Sequence, residues 1–154
     1  MSIISVRVYG ILINELDQVL VSDEYIRGNY FTKFPGGGLE FGEGLREGLK
    51  REFQEELQLA VEIKDHIYTT DFFQRSAFNH NHQILSVYYH VEAMEPIRVP
   101  LRTNAFEFDA EQLAIYEKTQ QTESFRFMNW NDFSSDALSL PIDKIVADLL
   151  KSRR

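Results

Sequence analysis

A chain of 154 residues is long enough for one domain with its own core, so we expect a single domain over residues 1–154. Its 16 Lys plus Arg against 24 Asp plus Glu give a formal net charge of −8, which argues against binding nucleic acid polymers or anionic membranes. The absence of cysteine excludes disulfides, thiol catalysis and thiolate zinc sites, and it fits a reducing cytoplasm. With no signal-like N-terminus and no apolar stretch of about 18 residues, we expect a soluble, unprocessed cytoplasmic protein.

Three extended segments are predicted ahead of a glycine-rich turn. β-Branched residues favour a strand over residues 3–13, and Asn14 would end it. A second strand over residues 19–21 would complete a hairpin with the first. A short extended piece over residues 30–34 then leads into the glycine-rich turn at residues 35–38, which precedes a helix.

The rest of the chain predicts a further pair of strands, a long irregular region, a last strand and a C-terminal helix. The pair covers residues 61–73 and 83–91, joined by a polar segment. Residues 96–122 are the least regular, with a short helix indicated over residues 109–118. Residues 125–130 alternate as a strand, and an amphipathic helix opens at Pro141 and runs to residue 151. This order predicts an α/β fold with a mixed sheet between helices.

The helix after the glycine-rich turn carries an acidic face that conflicts with its apolar pattern. Its apolar stripe at helical spacing consists of Leu45, Leu49, Phe53 and Leu57. Glu52 and Glu56 fall beside or within this stripe, with Glu55 on the flank. A carboxylate facing the apolar side costs several kcal/mol unless it is paired or binds a metal. Such a conflict is expected at a functional site.

This arrangement suits a hard divalent cation. Glutamates three and four residues apart share one helix face, and Mg²⁺ typically takes one or two carboxylates together with water and substrate phosphates. Glycines in the preceding turn let the backbone approach a ligand and offer a carbonyl oxygen. The alternative interpretation of each part alone is a solvated acidic face and an ordinary turn.

Taken together, the turn and the helix resemble the Nudix box. Gly37 is followed after five residues by Glu43, and after seven more by the run Arg51-Glu52-Phe53-Gln54-Glu55-Glu56-Leu57-Gln58-Leu59. One position departs from the signature, since Gln58 occupies the place of the last glycine. That glycine lies at the helix end, so Gln58 must adopt a left-handed conformation or the helix must end differently.

The resemblance implies a Nudix-like α/β/α sandwich and a pyrophosphohydrolase that needs Mg²⁺ or Mn²⁺. It implies that Glu52 and Glu56 are the main metal ligands, that Glu55 is a further ligand or the base, and that the Gly37 carbonyl completes the metal shell. By helix geometry, Arg51 lies near Glu55 and would hold that carboxylate as part of the catalytic set.

Other residues receive roles from the same resemblance. Glu43 and Gly38 are structural within the box, and Glu43 would bond inside it. An additional base can come from a later loop, and we choose Glu123 because it stands just before the predicted last strand. The other acids considered for this role are Glu107, Glu111 and Glu117.

Substrate contacts stay undefined by sequence. Candidates for stacking on a base, which are more often core residues, are Phe72, Phe73, Phe78 and Tyr88. Candidate phosphate contacts are Arg75, Arg98 and Arg102. His80 and His82 are interpreted as surface histidines because no third metal ligand matches them.

The resemblance implies a small nucleotide-derived substrate, such as a nucleoside triphosphate, a nucleotide sugar or ADP-ribose. Sequence markers that divide the family by substrate are mostly absent, and a homodimer is a candidate assembly because family members are often dimers. One alternative is a Nudix-like sensor that binds a nucleotide metabolite without turnover. A second is a structural domain stabilised by a divalent cation, which leaves the glycine-rich turn and Arg51 unexplained.

Overall fold

The computed structural model describes all residues, Met1–Arg154, as eight strands and three α-helices. In chain order these are β1 (Ile3–Leu12), β2 (Gln18–Ile26), β3 (Asn29–Lys33), β4 (Gly36–Gly38), α1 (Leu45–Leu57), β5 (Val61–Thr69), β6 (His82–Ala93), β7 (Leu101–Arg102), α2 (Ala110–Thr119), β8 (Gln121–Asn129) and α3 (Pro141–Ser152). None of the helices combines the length and apolar character needed to cross a membrane.

The chain divides into two compact units. The first consists of Met1–Leu12 and Pro35–Arg98, and the second of Ile13–Phe34 and Val99–Arg154. Each unit contains one four-stranded mixed sheet, with one parallel pair and two antiparallel pairs.

In the first unit the sheet order is β4-β1-β6-β5, with β1 and β6 parallel. Helix α1 packs on this sheet through its apolar stripe, because Leu49, Phe53 and Leu57 are buried. The Phe53 ring lies directly over Gly10 of β1, where an added Cβ would be 2.6 Å from the ring. Strand β1 therefore meets the helix that carries the acidic face.

In the second unit the sheet order is β3-β2-β8-β7, with β7 and β8 parallel. Helix α3 opens with Pro141 and buries Ile142, Val146 and Leu150. Helix α2 begins at the N-cap Asp109 and buries none of its residues.

The predicted α/β class is confirmed, with the strands distributed over two mixed sheets. Helices predicted over residues 109–118 and 141–151 occur within one residue of those bounds. The predicted hairpin of the first two strands is wrong, because β1 and β2 belong to different sheets. Ile13, which follows β1, forms only an isolated bridge with Val19. Residues 36–38, which were predicted to belong to a glycine-rich turn, form the short strand β4. The single-domain assignment stays a prediction.

Several other strands differ from the predicted bounds. Strand β2 continues to Ile26, and β8 starts at Gln121 instead of residue 125. Strand β5 ends at Thr69, four residues before its predicted end. The two-residue strand β7 had no counterpart in the sequence prediction.

Candidate active site

The glycine-rich segment is fixed to the sheet along its whole length. Strand β4, Gly36–Gly38, pairs antiparallel with β1. Before it, the Gly10 N–H donates to the Pro35 carbonyl at 2.9 Å, and after it the Leu39 N–H donates to the Val6 carbonyl at 2.9 Å. The segment therefore presents a fixed backbone to the helix that follows it.

Gly37 receives the carboxylate of Glu52. A Cβ built on Gly37 would lie 2.6 Å from Oε2 and 2.7 Å from Oε1 of Glu52, so any side chain at position 37 would displace the carboxylate. Glu52 is only 8% exposed, although its side chain is polar. The structure thus brings together two residues that the sequence analysis assigned to the metal site.

Arg51 connects the acidic residues to the glycine strand. Its Nη2 donates to Oε1 of Glu43 at 2.7 Å and to the Gly38 carbonyl at 2.9 Å. Its Nη1 donates to Oε1 of Glu52 at 3.1 Å and to Oε2 of Glu55 at 3.2 Å. The bond to Glu43 is the largest influence on the Arg51 pKa and raises it; burial acts in the opposite direction, and Glu52 adds to the rise. Arg51 stays charged and uses its donors within the protein.

Glu43 accepts hydrogen bonds from other residues of the box. It accepts from Arg51 Nε at 3.0 Å and from the Glu40 backbone N–H at 2.8 Å. The bond from Arg51, followed by that from Glu40, holds the pKa of the Glu43 carboxyl below its usual range. Glu43 therefore accepts these bonds as a carboxylate.

Arg7 lies close to the acidic residues of α1, and the sequence analysis did not single it out. It lies on β1, and its Nε donates to the Tyr9 hydroxyl at 2.6 Å. Burial is the largest influence on its pKa and lowers it, but Tyr9 and the negative charges of Glu52 and Glu56 outweigh burial, so the pKa is raised. In the sequence, Arg7 is only a cation within a strand rich in β-branched residues, and this pattern does not indicate which residues its side chain faces.

Gln58 caps the C-terminal end of helix α1, at the position where the family signature has glycine. Gln58 is left-handed, with φ 51° and ψ 38°, and its N–H donates to the Gln54 carbonyl at 3.0 Å. The helix therefore ends in the conformation that glycine would favour, and the acidic residues before it keep their helical spacing.

The donors present fit a divalent cation that is shared with a phosphate ligand. No three Asp, Glu or His side chains form a complete metal cage. Mg²⁺ seldom requires such a cage, because it takes one or two carboxylates and completes its shell with waters and phosphate oxygens. The buried carboxylate of Glu52 against Gly37, with Glu56 one turn along the helix, is a donor set of this kind.

Glu123 lies in the second unit, inside β8, and the expectation that it precedes the last strand is wrong. Its Oε2 accepts from the Ser22 hydroxyl at 2.9 Å. The strand begins earlier than predicted because the polar residues 121–124 pair with β2.

The three arginines named as phosphate candidates have partners elsewhere. Arg75 donates to the His80 carbonyl at 2.5 Å. Arg98 pairs with Glu95, and Arg102 with Asp109. Among the aromatic candidates, Tyr88 is buried and the three phenylalanines are exposed.

Comparison with known proteins gives one family and one fold. The family model described as NUDIX domain matches residues 4–149. No curated protein sequence matches the chain significantly.

Solved structures with the same fold include three at low sequence identity. The Escherichia coli ORF135 protein is 15% identical with a TM-score of 0.68, and the alignment covers 98% of this chain and 91% of that one. A MutT protein from Methanosarcina mazei Go1 is 13% identical with a TM-score of 0.67, over 99% and 97% of the two chains. An ADP-ribose pyrophosphatase from Streptococcus suis is 16% identical with a TM-score of 0.54, over 97% and 92%. At these identities the likeness shows the fold.

Proposed function

Because the chain belongs to the Nudix family, we propose that it is a metal-dependent pyrophosphohydrolase that cleaves the diphosphate linkage of a nucleoside diphosphate joined to another group. The observation that carries the proposal is the Arg51 network, which links Glu43, Glu52 and Glu55 to the glycine strand. One structural neighbour, an ADP-ribose pyrophosphatase, acts on a substrate of this chemical class.

In this proposal Glu52 and Glu56 would hold Mg²⁺ or Mn²⁺, and the Gly37 carbonyl would complete the metal shell. Of the two roles considered for Glu55, a further ligand or the base, the proposal assigns the base. A bound divalent ion neutralises the charge that develops on the phosphate oxygens. Arg51 orients Glu52 and Glu55 through the bonds described above. Glu55 is the more exposed of these two carboxylates, with 58% of its side chain accessible, and it accepts the proton of the attacking water.

Three further assignments are carried forward from the sequence as proposals. Glu123 is an additional candidate base. The active form is a homodimer, which sedimentation equilibrium would test. The protein works in the cytoplasm on a small nucleotide-derived substrate, consistent with its lack of cysteine.

The first test is nucleotide and phosphate release from nucleoside triphosphates, ADP-ribose, dinucleoside polyphosphates and nucleotide sugars, with Mg²⁺, with Mn²⁺ and with chelator. We expect metal-dependent release from one class, with kcat reduced about a hundredfold or more in Glu55→Gln and Glu56→Gln. Glu47→Gln is the matched control, because Glu47 lies on the same helix and glutamine can replace its bond to the Gly44 N–H.

Glu123→Gln is measured beside these variants, and a comparable loss of kcat would support its role as a base. Unchanged turnover in both Glu55→Gln and Glu56→Gln would contradict the proposal. Ligand-induced stabilisation without release from any member of the panel would indicate a sensor instead.

A further inference from the structure

Arg7 has donors that the protein itself does not use. Its Nε bonds the Tyr9 hydroxyl, while Nη1 and Nη2 make no hydrogen bond or ion pair within the chain. We propose that Arg7 binds the diphosphate of the substrate through these two nitrogens, with the substrate class resting on the proposed function. Arg7 would then be a substrate-binding residue of the site.

The first argument is position. In the pairing of β1 with β4, Arg7 is the register partner of Gly38. Its Nη1 lies 3.7 Å from where a Gly38 Cβ would be, and the adjacent Gly37 contacts the Glu52 carboxylate. The unused donors thus lie beside the same glycine strand that meets a proposed metal ligand.

The second argument is that the guanidinium is held in place before any ligand arrives. Tyr9, which accepts from Arg7 Nε, is only 4% exposed and stacks on Tyr88 with ring centroids 5.2 Å apart. The Arg7 guanidinium carbon is also 5.7 Å from the Tyr9 ring centroid. A fixed guanidinium loses less conformational freedom on binding than a mobile one.

The third argument is charge. Glu52 and Glu56 favour the charged form of Arg7, yet no carboxylate forms an ion pair with it. Arg51, in contrast, already donates to three glutamates and one carbonyl. Of the two arginines next to the acidic residues, Arg7 is therefore the one whose two outer nitrogens are available to bind an anion.

The chemistry of the ligand follows from the shape of the donor group. Two outer nitrogens of a guanidinium match two oxygens of a phosphate in a bidentate pair. A cation shared with Glu52 and Glu56 prefers phosphate oxygens as its remaining ligands. A diphosphate can bind both groups at once. Oxygens of one phosphate would accept hydrogen bonds from Arg7, and oxygens of the other would bind the metal.

The test uses methylenediphosphonate, a non-hydrolysable diphosphate, and measures its binding by titration calorimetry in Mg²⁺ on the full-length protein. Arg7→Gln is expected to weaken binding by about tenfold to a hundredfold, the usual loss for charge-assisted hydrogen bonds. Lys50→Gln is the matched control, because it removes the same charge from an exposed position on α1. We expect its affinity to stay within about twofold of the original, since exposed charges are screened.

Arg7→Lys keeps the charge without the paired donors and serves as the second variant should Arg7→Gln fold poorly. Its expected affinity lies between those of Arg7→Gln and the original protein. Unchanged binding in folded Arg7→Gln, or no binding by the original protein in Mg²⁺, would overturn the inference.

The binding result is independent of turnover. If binding depends on Arg7 but no substrate of the panel is hydrolysed, the diphosphate site stands and the proposed hydrolysis fails. If hydrolysis is observed and Arg7→Gln binds like the original protein, the proposed function stands and the role of Arg7 is wrong.

Discussion

Gln58 occupies a backbone conformation that costs most residues about 1 kcal/mol or more, because Cβ crowds the following carbonyl oxygen in the left-handed region. Gln58→Gly should therefore stabilise the protein by about 0.5–1 kcal/mol, since the relief of strain is partly offset by the greater freedom of glycine in the unfolded chain. The expected rise in Tm is about 1–4 °C, measured by thermal unfolding.

Gln58→Ala is the control, because it removes the side chain and keeps the strain. We expect its Tm close to that of the original protein. A Tm lowered equally in Gln58→Ala and Gln58→Gly would show that the glutamine side chain makes a contact that outweighs the backbone strain.

The box residues could be predicted from spacing because they belong to one turn and one helix. Glu52 and Glu55 are three residues apart on α1, and Arg51 reaches both. The position of Arg7 beside Gly38 could not be predicted, because it depends on which residue of β4 pairs with Arg7. That pairing is a matter of sheet register, and a single sequence contains no direct signal for it.

The contact between α1 and its sheet depends on the absence of a side chain at Gly10. A Cβ there would lie 2.6 Å from the Phe53 ring and 2.9 Å from a methyl group of Val91. Gly10→Ala should destabilise the protein by about 1–3 kcal/mol, the usual cost of overpacking a filled core. Urea unfolding would measure this loss of free energy of unfolding, provided that the m-value of the variant is unchanged.

Phe53→Leu in the Gly10→Ala background tests the cause. Because leucine leaves room where the ring edge was, the double variant should lose less free energy of unfolding than the sum of the two single variants. Additive losses would mean that the crowding at Gly10 is relieved elsewhere.

Elements defined by local pattern were predictable, and those defined by distant pairing were not. Helix α3 follows from Pro141 and its apolar spacing. Strand β2 was predicted too short because its second half is polar. Asp23, for example, is fully buried and bonds Thr32 on the adjacent strand β3 and Arg126, which is 103 residues away in sequence.

Across the whole molecule, the excess of acidic residues gives a net charge of −8 and a pI near 5.0. Charge repulsion between copies keeps a protein dispersed, and it vanishes at the pI. We expect solubility to be high at pH 7 and lowest near pH 5, measured as the protein remaining in solution after equilibration across pH 4–8. A minimum near pH 7 would contradict the charge argument.

Strand β4 has a consequence for the thermodynamics of ligand binding. A run of glycines has the largest conformational entropy of any backbone, and in a free loop a ligand would have to order it. Here the pairing of Gly36–Gly38 with β1 orders that backbone as the protein folds. A ligand that binds beside β4, as proposed, would therefore meet an ordered surface, and none of its interaction free energy would be spent on ordering this backbone.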